Sequence, residues 1–342
     1  MSTDVSLSGG RGRRWIDTSE YSAQLRELLV DPETRSIKLT LFDQSKQSQD
    51  LSEPPVCNGR ARIHHFRSDE GADWPSNPLP MVPARFALNL PTAKEIDALV
   101  FQSSGCNWRC WYCYVPFEDL TGRRGSLTSV AEMVDAFEQL SPRPEMIDLS
   151  GGQPDLTPEW TVWFLEELDR RHIDDVYLWS DDNLSTDYLW RYLTDRELAK
   201  LGEHPRYGRA CCLKGHNSKA FSFNTKAHPD LFDYQFQLLH RLQDSTQIDY
   251  YLYMTFTATD VSGLSADMRK LVDRLQSISE TLPLRSVPLK VLAWGPVEPR
   301  LDQERVASMS IQSEIVNAWR SELECRFTTR ELQTPISLIP RG

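Results

Sequence analysis

Ser104-Gly-Cys-Asn-Trp-Arg-Cys-Trp-Tyr-Cys-Tyr114 places Cys106, Cys110 and Cys113 within eight residues, and the nearest histidines are His64, His65 and His172. Three soft thiolates at this spacing suit an iron–sulfur cube with one iron left open. Such clusters ordinarily take four cysteines, and the ferredoxin run ends in a Cys-Pro that is absent here. An open iron is free to bind a small molecule. Two other uses of the thiols compete with this one. A structural zinc ion wants four ligands, usually as two spaced pairs, and a redox pair of Cys110 and Cys113 leaves Cys106 unexplained.

Outward from the cysteines, from about Asp97, apolar runs rich in β-branched and aromatic residues alternate with segments of helical period. That is the pattern of βα units around a parallel sheet. Six units are expected. Strands are predicted at Ala98–Gln102, Met146–Leu149, Val176–Trp179, Arg209–Leu213, Tyr250–Thr257 and Pro288–Trp294, the last an apolar run suited to burial on both faces. Helices are predicted at Thr128–Leu140 with Thr128 as N-cap, from Pro158 with Thr157 as cap, and at Thr186–Leu201, Asp230–Leu242, Ala266–Ile278 and Asp302–Leu323. Upstream, a helix at Ser19–Val30 and a strand at Ile37–Phe42 precede a loop-rich stretch, Pro54–Pro83, read as part of an N-terminal cap. The chain thus divides into an N-terminal extension (1–92), a core (93–300) and a C-terminal helix and tail (301–342).

The C-x3-C-x2-C spacing, with Tyr112 just before the last cysteine, resembles the signature of the radical S-adenosyl-L-methionine (radical SAM) enzymes. The resemblance covers Ala98 to Trp294 and implies an α/β fold, the partial (β/α)6 barrel. It further implies a 4Fe-4S cluster on Cys106, Cys110 and Cys113, with Tyr112 beside the cofactor. The amino and carboxylate groups of SAM would chelate the open iron, and reduction would yield a 5′-deoxyadenosyl radical. Barrel chemistry sits at the C-terminal ends of strands, where three further segments fall. Ser150-Gly-Gly-Gln-Pro154 is similar to the family's Gly-Gly-Glu-Pro segment, which implies that Gly151, Gly152, Gln153 and Pro154 seat SAM. Gln153 stands in place of the usual Glu, so a side-chain contact there is neutral instead of charge-assisted. Ser180-Asp-Asp-Asn-Leu-Ser185 occupies the place of a ribose-contacting segment and points to Ser180, Asp182 and Asn183; the same residue types also favour helix-capping turns. Cys211-Cys-Leu-Lys-Gly-His216 resembles the Lys-Gly segment of the glycyl-radical-activating branch, which makes Lys214 the catalytic candidate, a cation aimed into the cavity.

Cys211 and Cys212 face opposite sides of a regular strand, so at most one reaches the lumen, and core packing is expected of both. With Cys57 and Cys325 they show no paired spacing, so an auxiliary cluster is not expected. The expected chemistry is hydrogen abstraction from a small-molecule, peptide or protein substrate, activating-enzyme-like in its branch, with a reductant such as flavodoxin or ferredoxin. A radical SAM methylase or a nucleoside- or peptide-modifying enzyme is the nearer alternative. A zinc- or cluster-binding protein without catalysis is the alternative from another class.

Composition bounds these readings. With 38 basic against 49 acidic residues and a net charge of −11, a phosphate backbone is disfavoured as the main partner. The basic strips Gly59–Arg67 and Arg11–Arg14 read as solvated faces or tails. No apolar run approaches the ~18–20 residues that span a bilayer, and Met1–Arg14 has no apolar stretch of the kind that directs export. A soluble cytoplasmic protein is therefore expected. The odd count of 7 cysteines fits a reducing compartment better than a disulfide framework.

Overall fold

The computed structural model describes residues 7–8, 15–67, 74–92 and 95–342; the Arg11–Arg14 strip lies outside the described residues. Its main sheet contains β1 (Ala61–Arg67), β2 (Glu95–Gln102), β3 (Met146–Ser150), β4 (Tyr177–Asp182), β5 (Tyr207–Leu213), β6 (Tyr250–Thr255) and β7 (Ser286–Leu289), in strictly sequential spatial order. Strands β2 to β7 are parallel, as six βα units require, and β1 runs antiparallel on the outer edge of β2. The two end strands are not paired to each other, so the sheet is an open, partial barrel.

Alternation along the strands divides the core in two. Ile147, Leu149, Leu178, Cys211, Leu213, Leu252 and Met254 face an outer layer of helices, among them α3 (Val130–Glu138), α4 (Glu159–Arg170), α8 (Leu231–Ser245) and α9 (Leu264–Ile278). Ala98, Val100, Met146, Tyr177, Trp179, Ala210, Cys212, Tyr251 and Tyr253 face the lumen. Cys211 and Cys212 therefore do point to opposite sides.

The N-terminal region does more than cap. Gly59–Arg67, read from sequence as a solvated basic strip within a loop-rich stretch, supplies β1, with His65 opposite Asp97 and Arg67 opposite Glu95. Helix α2 (Met81–Leu88) then packs Met81 and Ala84 against the lumen cluster. Helix α1 (Thr18–Leu29) and a small antiparallel sheet of Val30–Asp31, Ser36–Leu39 and Ser126–Ser129 cover the loop after β2.

Several boundaries differ from the sequence reading for local reasons. Thr128 belongs to a strand opposite Ile37, and Ser129 caps α3 in a capping box with Glu132. Thr157 donates its hydroxyl to the Pro154 carbonyl within a 3-10 turn, and α4 begins at Glu159 without a side-chain cap. The single helix expected at Thr186–Leu201 is two, Tyr188–Tyr192 and Asp195–Glu203, because Thr194 and Glu197 form a second capping box between them. The last strand stops at Leu289. It is an edge strand, which tolerates Pro288; beyond it the Val291 backbone bonds the Gln312 side chain, and Leu292 and Trp294 are exposed.

Candidate active site

Register brings Gln102, Ser150, Asp182, Leu213, Thr255 and Leu289 to one rim of the barrel, the carboxyl end of the parallel strands. The cysteine loop crosses this rim directly after β2. On its inner side Gln153 N donates to Gly105 O (2.7 Å), and Ser103 N donates to Ser150 O (3.2 Å). On its outer side Cys106 N donates to Leu120 O, and Trp108 and Asn107 donate side-chain hydrogen bonds to Thr18 and Ser22 of α1. Arg109 N and Trp111 N donate to Thr225 O and Asn224 O, at the end of α7 (Ser218–Thr225), both at 3.1 Å. Arg300, far downstream, completes the clamp: its guanidinium donates to Cys113 O (2.6 Å) and Val115 O (2.9 Å) and lies over the Phe117 ring.

Cys106 is buried, and Cys110 and Cys113 are half-buried. Burial pushes the Cys106 thiol up and the Cys110 thiol to about 12, partly offset by the nearby Lys214 cation. Without metal these thiols keep their protons, and a thiophilic metal must displace them. The three thiols lie on one loop at this rim. Around it lie buried polar atoms that lack partners, Ser103 Oγ, Ser104 Oγ, Gln102 Oε1 and Asn183 Oδ1, which suits a site built to receive a polar group.

The structure gathers most of the sequence candidates here. Gly151 and Gly152 have φ of +64° and +61°, and a Cβ on Gly152 would meet Gly105 O at 2.4 Å and Ser103 O at 2.6 Å. Gln153 is buried, and its amide bridges strand ends: Nε2 donates to Asp182 Oδ1 (2.7 Å) and Oε1 accepts from Asn183 N (2.9 Å). A neutral amide can do both, which a carboxylate cannot. Pro154 opens the 3-10 turn that follows. Asn183 Nδ2 donates to Asn107 Oδ1 (3.1 Å) and approaches Cys106 Sγ (3.8 Å). Tyr112 OH meets Thr255 Oγ1 at the end of β6 (3.0 Å). Lys214 lies among Cys212, Tyr112, Cys110 and Cys106.

Ser180 is the exception. It lies below the rim and faces the helices, its hydroxyl on Tyr207 OH (2.9 Å). The strand expected to stop at Trp179 continues to Asp182, so Ser180 and Asp182 share the outer face and the lumen residue between them is Asp181. Asp182 remains at the rim through its bonds to Gln153 and Leu184 N, with Arg209 Nη2 3.4 Å away.

Sequence reasoning missed three groups. Asn107 ties the cysteine loop to Ser22, Ser185 and Asn183 at once. Arg209, buried on β5, bonds Asp155 (2.5 Å) and so joins the Pro154–Leu156 turn to the end of β4. The lumen beneath the rim carries Asp148, Asp181, Ser150, Tyr114 and Arg62: Ser150 donates to Asp181 (2.6 Å), and Asp148 Oδ1 is buried without a partner. Burial and the neighbouring Asp181 push the Asp148 carboxyl well up. Period-2 alternation of charged residues within apolar strands is the signal that would have found these lumen groups.

The radical SAM superfamily model matches residues 100–203, the span that carries the cysteine loop, the Gly151–Gly152 turn and the end of β4. Residues 100–203 are thus a radical SAM superfamily domain, and such a domain implies an enzyme that uses SAM and an iron–sulfur cluster. Among solved structures, Streptococcus suis SuiB bound to precursor peptide SuiA is similar at 12% identity and a TM-score of 0.44, over 66% of this chain and 46% of that one. SuiB bound to S-adenosylmethionine is similar at 13% identity and a TM-score of 0.37, over 52% of this chain and 37% of that one. The chain thus spans less than half of those chains' length. Comparison with curated proteins finds no match. No helix among the described residues is long and apolar enough to cross a membrane.

Proposed function

We propose that Cys106, Cys110 and Cys113 hold one 4Fe-4S cluster with an open iron, and that the rim beside it seats SAM. Bound there and reduced, the pair supplies a 5′-deoxyadenosyl radical that abstracts hydrogen from a substrate in the lumen. The observation that carries this reading is the rim itself: the three thiols, the Gly151–Gly152 turn, Asn183 and Lys214 lie together at the carboxyl end of parallel strands. Gly151 and Gly152 bring the backbone close to the cysteine loop, and Gln153 and Asp182 fix the two cofactor-facing loops relative to each other. Lys214 offers a cation to a carboxylate at the cluster. Its Lys-Gly context favours an activating-enzyme-like member over a methylase or a nucleoside- or peptide-modifying one. Ser180, hydrogen-bonded to Tyr207 in the helix layer, is assigned a supporting role, and Asp181 takes its place at the lumen.

Anaerobic reconstitution tests the reading. The expected result is about four irons per chain, a reduced-cluster electron paramagnetic resonance signal that changes on adding SAM, and 5′-deoxyadenosine after dithionite. Tight zinc with no 5′-deoxyadenosine would instead establish the binding protein without catalysis.

A further inference from the structure

Below the rim, period-2 alternation sends every second residue of each strand into the lumen. Arg62 of β1 stands opposite Val100, Val100 opposite Asp148, and Asp148 opposite Trp179, so Arg62 and Asp148 share one row across the sheet. Ser150 stands one step nearer the rim, and its hydroxyl donates to Asp181 of β4 (2.6 Å). Tyr114, which follows Cys113 on the cysteine loop, reaches the same group through Ser150 Oγ (3.4 Å). The floor beneath is aromatic and apolar, with Tyr177, Trp179, Tyr251 and Met81.

Asp148 is 5% exposed, yet its Oδ1 has no hydrogen-bond partner, and Arg62 Nε is likewise buried without one. Buried polar atoms are paired in the great majority of cases, so an orphaned carboxylate facing a lumen marks a place where a ligand supplies the partner. Two carboxylates here face one guanidinium: Arg62, two strands away, offsets part of the charge on Asp148. His64, the next lumen residue of β1, is pushed down to about 3 by burial and is neutral. The Tyr253 hydroxyl is spent on the Leu79 carbonyl (2.9 Å). Lys214, the other cation near Asp181, lies among Cys212, Tyr112 and two of the cluster thiols, and the reading above gives it to the cofactor. Burial pushes both carboxyls up, and Asp181 pushes Asp148 further, so the pair keeps a proton.

Resting on the radical SAM reading, we propose that Asp148 and Asp181 receive a cationic nitrogen of the substrate, an alkylammonium or guanidinium, and so anchor it in the lumen beneath the cysteine loop. Such a group brings a positive charge and two or more N–H donors, which two carboxylates sharing one proton lack. A carboxylate or phosphate in that place meets two like charges, and a hydroxyl supplies a donor without a charge. Binding exchanges one cation for another: N–H···O hydrogen bonds form to Asp148 and Asp181, and the carboxyl proton leaves to solvent. No electron moves in this step. The anchored end lies toward the floor, which turns the rest of the substrate toward the rim where hydrogen is abstracted.

The test uses probes of one shape, pentylamine, pentanoate and pentanol, with pentylguanidine added to separate the two kinds of cation. Isothermal titration at about pH 7.5 against the reconstituted chain with SAM compares wild type, Asp148→Asn, Asp181→Asn and the exposed-site control Asp244→Asn. At least one of the cations is expected to bind wild type and the control alike, and each lumen variant about tenfold more weakly, with iron content and circular dichroism unchanged. Titrations in phosphate and in Tris are expected to show about one proton released per cation bound to wild type and none with Asp148→Asn. Binding of neither cation, or tighter binding of pentanoate or pentanol, would overturn the proposal. So would cation binding that both lumen variants leave within about twofold of wild type, that the control weakens equally, or that releases no proton in wild type. Formation of 5′-deoxyadenosine with dithionite is read on the same preparations. Its absence in wild type would sink the radical reading itself, and the titrations would still judge the lumen.

Discussion

Gly152→Ala is expected to cost the protein its metal, and the reason is geometric. A Cβ at position 152 lies 2.4 Å from Gly105 O and 2.6 Å from Ser103 O, both backbone atoms that cannot swing aside. To restore even 3.0 Å, the Gly105 carbonyl must retreat by about 0.6 Å, which stretches its 2.7 Å hydrogen bond from Gln153 N to about 3.3 Å. Gly105 precedes Cys106, so the shift passes straight to a thiol. An alanine at φ +61° costs about 1 kcal/mol, and the weakened hydrogen bond about 1 kcal/mol more. The sum of about 2 kcal/mol corresponds to a Tm lower by roughly 3 °C for a chain of this length, with less than half the wild-type iron after reconstitution. Gly263→Ala is the matched control. It has φ +74° and nothing within 4 Å of the added Cβ, so it is expected to lose about 1 kcal/mol and no iron. Thermal unfolding and iron analysis of the two variants read both quantities. A Gly152→Ala protein with full iron and the same Tm as Gly263→Ala would refute the reasoning.

Three further outcomes are expected. Cys110→Ala should reduce bound iron and abolish 5′-deoxyadenosine with the fold intact by circular dichroism; iron equal to wild type would remove that cysteine from the ligand set. Arg209→Met should destabilise by about 3–5 kcal/mol in urea unfolding, because Asp155 and Asp182 are left as buried carboxylates without their cation; a loss below about 1 kcal/mol would show that the network carries little. His216 is buried with Nδ1 unpartnered, and burial lowers its pKa from 6.5 to about 4. Between pH 6.5 and 4 the unfolded chain takes up a proton that the folded one refuses, so stability falls as pH falls through this window, by about 1.4 kcal/mol per pH unit. His216→Phe should flatten that slope in denaturant titrations at pH 6.5, 5.5 and 4.5, and an unchanged slope would contradict the assignment.

What the sequence by itself determined is local. Three cysteines within eight residues present a ligand set whatever the rest of the chain does, and the six βα units are legible because alternating apolar periods report nearest-neighbour geometry. Two glycines before Gln153 mark a close backbone approach for the same reason. Tertiary structure decided which side each residue serves. Whether β4 ends at Trp179 or Asp182 depends on pairing with β5, and that length sends Asp181 to the lumen and Ser180 to the helices. The strand at Ala61–Arg67 exists because β2 has a free edge to pair with, not because its own sequence demands it. Arg300 clamps Cys113 across 187 residues of chain, and Arg209 joins two turns through carboxylates that the sequence leaves 27 residues apart (Asp155 and Asp182). Register and burial are set by partners distant along the chain, so no local pattern carries them.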